Sequence, residues 1–549
     1  MTETRQRTGA QLLVDSLILH GAKMGFGVPG ESYLSVLDAL HDVEEQFKFV
    51  ICRQEGGAAN MADAYGKLTG QPGICFVTRG PGASNAAVGL HTAHQDSTPM
   101  ILFIGQINNQ YAERESFQEV DYRRMFGQMA KWVASIDRAD RVQEMMSHAF
   151  HIATSGRPGP VVLALPEDMQ DELADVKEVR PYQRVAAHPG EADMHALRAR
   201  LAKAKKPLVI LGQAGWSKKG CDDFLAFVQA FDLPVACTYR AQDMIDNRDS
   251  HYVGDVAVGL NPALAKRIAE SDLLIGVGTR LGEWSTVNYT LIDIPRPKQP
   301  FVHIYPGAEE LGRVYQADLL INAGMPEFAA AAKALAPVPG RWAETTAIAR
   351  SEYEAWQKPV QTPGALNMSE VVTFLKKRLP PEAIITNGAG NFTLWMHRFY
   401  QYTGYRTQLG PTSGAMGYGV PAGIAAKLVH PERPVIAFAG DGDFMMGCTA
   451  VWTAAHYRIP ILFVVANNRS FYNDEVHQER VAKERSRPVE NKWIGQRMSD
   501  PEMDLAMIAR GQGAEGLGPV TRREDLAPTI AKAISLVDAG KVCLVDIRV

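Results

Sequence analysis

The sequence predicts an α/β protein built from parallel sheets in three successive blocks. Short apolar runs rich in β-branched residues recur along the chain, and amphipathic stretches of helical length separate them. The joins between blocks are polar or contain proline, and a chain of 549 residues exceeds what one ordinary core organises.

The first block, residues 1–176, carries the strand-like runs FKFVICR, GICFVT, MILFIG and PVVLALP. The second, 193–335, carries PLVILG, LPVAC, DLLIGVG and PFVHIYP. The third, 365–549, carries AIITN, VIAFAGDG, ILFVVANN and VCLVDIRV. The first join is DVKEVRPYQRVAAHPGEAD; the second, VPGRWAETTAIARSEYEAWQKPVQTPG, is predicted to contain a helix over SEYEAWQK. No short-period repeat or low-complexity tract is apparent.

A net charge of −4 points to no nucleic-acid or membrane surface. Cys52, Cys75, Cys221, Cys237, Cys448 and Cys543 are scattered without a CxxC pair, as reduced thiols would be. The N-terminal segment lacks the apolar core of a signal peptide, and no apolar run is long enough to span a bilayer. A soluble cytoplasmic protein is the expectation.

The third block holds the most informative segment, Val435 to Asn468. Two apolar strands flank a helical stretch; the first ends in Gly440-Asp441-Gly442 and the second in Asn467-Asn468. Ligands of open α/β sheets bind at the carboxyl ends of strands. Mg²⁺ takes hard oxygen ligands and shares them with phosphate. Asp441 offers a carboxylate, Asn468 an amide oxygen and Ser470 a backbone carbonyl. Gly440 and Gly442 let backbone approach a phosphate closely. A tight turn closing an ordinary βαβ unit is the competing account of GDG alone. The twenty-four residues separating GDG from NN across a second strand are far more specific.

In the first block Glu55 follows FKFVI and precedes a small-residue helix, GGAANMADAYGKLTG. A glutamate in a first helical turn also complements the helix dipole. Beside a cofactor ring it has another use: a desolvated carboxyl with a raised pKa can shuttle a proton.

GDG…NN resembles the thiamine diphosphate (ThDP) motif, and the whole chain resembles the acetolactate synthase and pyruvate oxidase group of ThDP-dependent enzymes. The likeness includes FGVPGES (26–32), GLHTAHQDSTPM (89–100), SFQEVD (116–121), SGRPGPVVLALPEDM (155–169) and SGAMGYGVPAGIAAK (413–427). It implies a pyrimidine-binding first domain, a Rossmann-like middle domain and a diphosphate-binding last domain. Glu55 would activate the cofactor. Asp441, Asn468 and Ser470 would hold Mg²⁺, and Met416 would prop ThDP in its bent form. Gly30, Thr78, Gly80, Gly414, Gly440, Gly442 and Asp443 would line the cofactor. Phe117, Gln118 and Lys131 match substrate-channel positions, with a surface loop as the other account. Gln106 and Glu31 are further candidates, Glu31 as a substrate contact or a loop cap.

The chain also departs from the pattern. After NN, acetolactate synthases read NNGYLGMVRQWQE; here NNRSFYNDEVHQER puts Asn473 and His477 at the Met and Trp positions. His477 could act as acid or base, or sit on a solvated helix. In the middle block, GVGTRLGEWSTVNYT and VHIYPGAEELGRV alter the expected flavin contacts. A flavin-free domain is therefore preferred, with FAD or an ADP moiety as alternatives. No GxGxxG supports NAD.

The resemblance implies a ThDP- and Mg²⁺-dependent decarboxylase or carboligase of 2-oxo acids. It would form or break C–C bonds through a C2-bound carbanion or enamine. Alternatives are a lyase acting on acyl-CoA or hydroxyketones, and a non-catalytic nucleotide-binding scaffold. The family arrangement draws Glu55 and the diphosphate site from different subunits, implying at least a homodimer and commonly a homotetramer.

Overall fold

The computed structural model describes residues 6–175, 177, 179–338, 341–360, 362 and 366–549; the block limits expected at residues 1, 176 and 365 lie outside them. It contains three six-stranded sheets in which every paired strand is parallel. In space the first sheet runs Lys48–Ile51, Met24–Gly27, Gly73–Val77, Met100–Gln106, Pro160–Pro166, Trp132–Ser135. The third runs Gln408–Leu409, Ile384–Asn387, Val435–Gly440, Leu462–Asn467, Cys543–Arg548, Glu515–Val520. Numbered by their own chain order, both read 2-1-3-4-6-5, so the first and third sheets share one topology. The middle sheet runs Tyr252–Val256, Val235–Thr238, Pro207–Leu211, Leu273–Val277, Phe301–Tyr305, Leu319–Asn322. Its order is 3-2-1-4-5-6, that of dinucleotide-binding sheets.

The central strands are apolar throughout because helices cover both faces of each sheet. Gly73–Val77, Pro207–Leu211 and Val435–Gly440 are buried at every residue. Six strands of these three sheets escape the apolar-run signal. Met24–Gly27 lies in the interior of its sheet but alternates with glycine, because a methyl group on Gly25 would come within 2.7 Å of the Phe47 ring. The others are Trp132–Ser135, Tyr252–Val256, Leu319–Asn322, Gln408–Leu409 and Glu515–Val520. All five lie at sheet edges, where burial is incomplete or the run is very short. The predicted SEYEAWQK helix lies within Ala343–Trp356, apart from its last two residues.

The chain forms two compact units, residues 1–185 with 424–429, and 186–423 with 430–549. Three sheets are therefore packed into two units, the middle and third sheets sharing the larger one. Buried polar side chains join those two sheets. Gln242 donates to the His397 carbonyl at 2.8 Å, and Asn247 accepts from the Tyr402 amide at 3.0 Å.

In the first unit, helices Glu55–Thr69 and Gly80–Asp96 approach so closely that a methyl group on Gly89 would collide with Ala59. The contact encloses an ionic triad. Lys67 pairs with Asp63 at 2.9 Å and with Asp96, and both carboxylates are fully buried. Removing one member of a buried ionic group leaves charge uncompensated, at a cost of ~3–5 kcal/mol. Lys67→Ala is expected to lower the stability of this unit by about that amount, read as a shift in its denaturant midpoint. A change below about 1 kcal/mol would show the triad to be dispensable.

Candidate functional site

The two outer topologies reverse direction between their first and third strands, and both sets of candidate residues lie at those points. In the third sheet, Val435–Gly440 is extended to its last residue, and the helix Asp441–Gly447 begins at once. A methyl group on Gly442 would come within 2.5 Å of the Phe471 ring, so that glycine permits the loop after Asn468 to fold over the turn. Asn467 donates to Asp546 at 3.0 Å, and its own oxygen accepts from the Arg469 amide. The Asn468 oxygen accepts from the Ser470 amide at 2.9 Å. Both asparagines thus shape the turn as well as carrying an amide into it.

Asp441, Asn468, Ser470, Met416, Gly414, Gly440, Gly442 and Asp443 all line one cleft of about 240 Å³. One Asp441 oxygen accepts from the Gly442 amide at 3.0 Å; the other is buried without a partner. Burial raises the Asp441 carboxyl to about 6 against the opposing pull of the Gly442, Arg469 and Ser470 amides. An orphaned carboxylate oxygen lining a cleft fits a cation. Among the described residues no group of three His, Cys, Asp or Glu could hold a metal, so phosphate oxygens would complete the shell. The cleft is smaller than the ~300–1,000 Å³ of whole small-molecule pockets, a size that suits a metal and a diphosphate.

Asp443, like its neighbour, keeps one buried oxygen without a partner. It is buried, and one oxygen accepts from the amides of Gly417 at 2.7 Å and Ala389 at 3.3 Å. Burial pushes its carboxyl up to about 7. The loop Ala389–Phe392 also lines the cleft. Sequence inspection missed this loop, although TNGAGN after an apolar strand carried the same turn signal as GDG. Asn473 lines the cleft too, but His477 is exposed on the helix Tyr472–Glu484 and is not among the lining residues. A second, largely apolar chamber of about 790 Å³ adjoins the cleft and shares Asn391, Phe392, Asn468 and Tyr472 with it.

In the first sheet, Gly30 and Thr78 meet at the reversal point, where a methyl group on Gly30 would collide with Thr78. The Gly80 amide donates to the Gln118 carbonyl at 3.0 Å, docking the 116–120 loop on this turn. Gln106 supports the same loop through the Val120 carbonyl at 3.1 Å. Glu55 opens its helix and is half-buried; its carboxylate accepts from Asn85 at 2.9 Å, close against Gly82. Phe117 is 70% exposed, with the Arg79 guanidinium 6.0 Å from its ring. Arg79 itself pairs with Glu31 at 3.1 Å and with Glu167, neither foreseen. Lys131 is not brought to this group: it donates to the Ile152 carbonyl and, at 2.7 Å, to that of Ser155, closing the end of helix Val142–Thr154.

The raised Asp441 carboxyl has a consequence for pH. The folded, metal-free site holds its proton more tightly than the unfolded chain, whose carboxyl titrates near 3.8. Stability of the metal-free protein from this group therefore rises as pH falls through about 6, while affinity for a divalent cation falls over the same range. Calorimetric titration with Mg²⁺ and ThDP across pH 5–7.5 checks it; affinity flat across this range would exclude Asp441 as a ligand.

Three family profiles match the chain. They are described as the thiamine pyrophosphate enzyme N-terminal TPP binding domain over residues 7–125, the central domain over 194–332, and the C-terminal TPP binding domain over 388–547. The acetolactate synthase large subunit of Parasynechococcus marenigrum is 30% identical over 545 residues, covering 96% of this chain and 85% of that protein. The large subunits of Haemophilus influenzae and Lactococcus lactis are 27% and 26% identical, covering 99% of this chain and 95% and 92% of theirs. The chain belongs to the acetolactate synthase-like family of thiamine diphosphate-dependent enzymes.

Proposed function

We propose that this enzyme is a carboligase of 2-oxo acids of the acetolactate synthase-like type, using ThDP held through Mg²⁺, with a pyruvate-type donor. The observation that carries it is the orphaned Asp441 oxygen in a diphosphate-sized cleft that Asn468 and Ser470 also line, in a chain whose relatives are acetolactate synthases over nearly its whole length.

When bound, ThDP supplies an electron sink for the bonding pair released at the substrate carbonyl carbon. The chain's own groups have four tasks. Asp441, the Asn468 amide and the Ser470 carbonyl would hold the cation and through it the diphosphate. Met416, on a turn fixed by Asp443, would pack against the cofactor and help to orient it. Glu55 holds or gives a proton at the aminopyrimidine ring, with Asn85 keeping its carboxylate in place. Phe117 and Gln118, on the loop docked against Gly80, border the entering substrate. His477 is left without a task, since it is solvated.

We further propose a flavin-free middle domain. At its reversal point the Gly212 amide donates to Val277 O at 2.8 Å, the Ala214 amide to Gly278 O at 3.2 Å, and the Trp216 indole to Gly212 O at 2.8 Å. Amides spent on one another do not cradle a dinucleotide's phosphates. A second reading, a lyase acting on acyl-CoA or hydroxyketones, draws on the apolar chamber beside the cleft, walled partly by Trp356, Trp395 and Arg398. Assembly as at least a homodimer, with a homotetramer expected, is supported by apolar surface at both candidate half-sites. Val88 beside Gly56, and Met445 and Met446 on the GDG helix, are exposed. A cytoplasmic location is proposed from the reduced-thiol pattern; among the described residues no helix is long and apolar enough to cross a membrane.

Glu55→Gln is expected to bind ThDP but to slow exchange of the cofactor's C2 proton by roughly 10²–10⁴-fold; wild-type exchange would remove Glu55 from the mechanism. Denaturing the purified enzyme is expected to release ThDP and no flavin; a stoichiometric yellow chromophore would overturn the flavin-free assignment. Active monomers after dilution would contradict the dimer. Screening 2-oxo acids against aldehyde and CoA-ester acceptors, with products read by mass spectrometry, separates the carboligase from the lyase.

A further inference from the structure

Arg240 lies in the turn after the middle strand Val235–Thr238, outside the cleft, yet its guanidinium is committed to loops of the third sheet. It is 2% exposed. It donates to the Gly388 carbonyl at 2.7 Å and to the Pro411 carbonyl, and stacks on the Tyr239 ring at 4.6 Å. Its backbone has φ +62°, a left-handed conformation that a long side chain keeps only where the surroundings over-determine it.

The two carbonyls it holds belong to the segments that Asp443 gathers from the other side. Gly388 precedes Ala389, whose amide bonds Asp443; Pro411 opens the segment leading to Met416 and to Gly417, whose amide bonds the same oxygen. Space is tight throughout. A methyl group on Gly388 would collide with the Asp443 carboxylate, and one on Gly410 would lie 2.9 Å from the Arg240 Cδ. A planar guanidinium can reach two carbonyls in fixed directions at once; an ammonium cannot hold both in that geometry.

We propose that Arg240 is a positioning residue for the cofactor. From the middle sheet it sets the spacing between the Ala389–Phe392 loop at the diphosphate and the turn that carries Met416. This rests on the assignment of the cleft to ThDP and deepens it by giving the middle domain a part in cofactor geometry.

The test is titration of the full-length protein with ThDP and Mg²⁺, followed by circular dichroism. Losing a charge-assisted bond to one or both loops is expected to weaken ThDP binding by about tenfold or more in Arg240→Lys and Arg240→Gln. The dichroic band of the bound, bent cofactor should also be diminished at saturation. Gln242→Leu is the control: the Gln242 side chain bonds the same two sheets, donating to the His397 carbonyl and accepting from the Gln408 amide group, but touches no cofactor loop. It should lower the thermal midpoint and leave ThDP affinity and the band unchanged. Gly410→Ala crowds the arginine without removing its charge, and should reproduce the weakening even if the Arg240 variants do not fold. Affinities within about twofold of wild type in the folded Arg240 variants or in Gly410→Ala would overturn the proposal, as would equal weakening by Gln242→Leu. Failure of the wild type to bind ThDP would instead remove the cofactor assignment itself, and this inference with it.

Discussion

The constraint on which everything else depends is burial of both faces of a parallel sheet. Strands such as Val435–Gly440 and Gly73–Val77 have no solvated face, so polar chemistry is excluded from their length and collects at their ends. In the first and third sheets the shared 2-1-3-4-6-5 order opens the connections between the first and third strands, and a ligand can enter there. Thr78 and Gly30 occupy that position in one sheet, Asp441 and the Ala389–Phe392 loop in the other. Glycine recurs at these points because two backbones, or a backbone and an aromatic ring, meet where a methyl group has no room.

Buried carboxylates hold the helices and loops around them together through the partners they find. Lys67, Asp63 and Asp96 pair among themselves in a helix contact and cement it. Asp443 spends one oxygen on two amides and so organises the loops around it. Asp441 is two residues away and equally sequestered, and each of these two carboxylates keeps one oxygen without a protein partner. An unpaired acceptor in a cleft is expensive unless a ligand completes it. The same accounting assigns Lys131 to a helix end, because both carbonyls it reaches belong to the backbone there.

The middle sheet keeps the strand order of a nucleotide-binding fold, and at its reversal point the Gly212 and Ala214 amides and the Trp216 indole donate to backbone carbonyls. Three of its buried polar side chains, Gln242, Asn247 and Arg240, reach the third sheet. Fold class and ligand are thus separable: identical topology can serve as a binding crevice or as a strut, depending on where its amides and guanidinium groups are spent.

Periodicity and short motifs in the chain by themselves determined the α/β class, most interior strands, and the residue types of GDG…NN, Glu55 and SGAMGYG, because these signals are local. An apolar run buried on both faces, or a glycine-flanked acid at its end, is readable within a few residues. Edge strands such as Leu319–Asn322 and the glycine-broken Met24–Gly27 were not readable, since their burial depends on neighbours far away in sequence. Only the tertiary structure decided which polar groups remain free. It turned Asp443 toward Gly417 and Ala389, left the Asp441 oxygen without a partner, kept His477 in solvent, and sent Arg240 to carbonyls 148 and 171 residues away. Hydrogen-bond partnership is set by proximity in space, and no spacing along the chain encodes it.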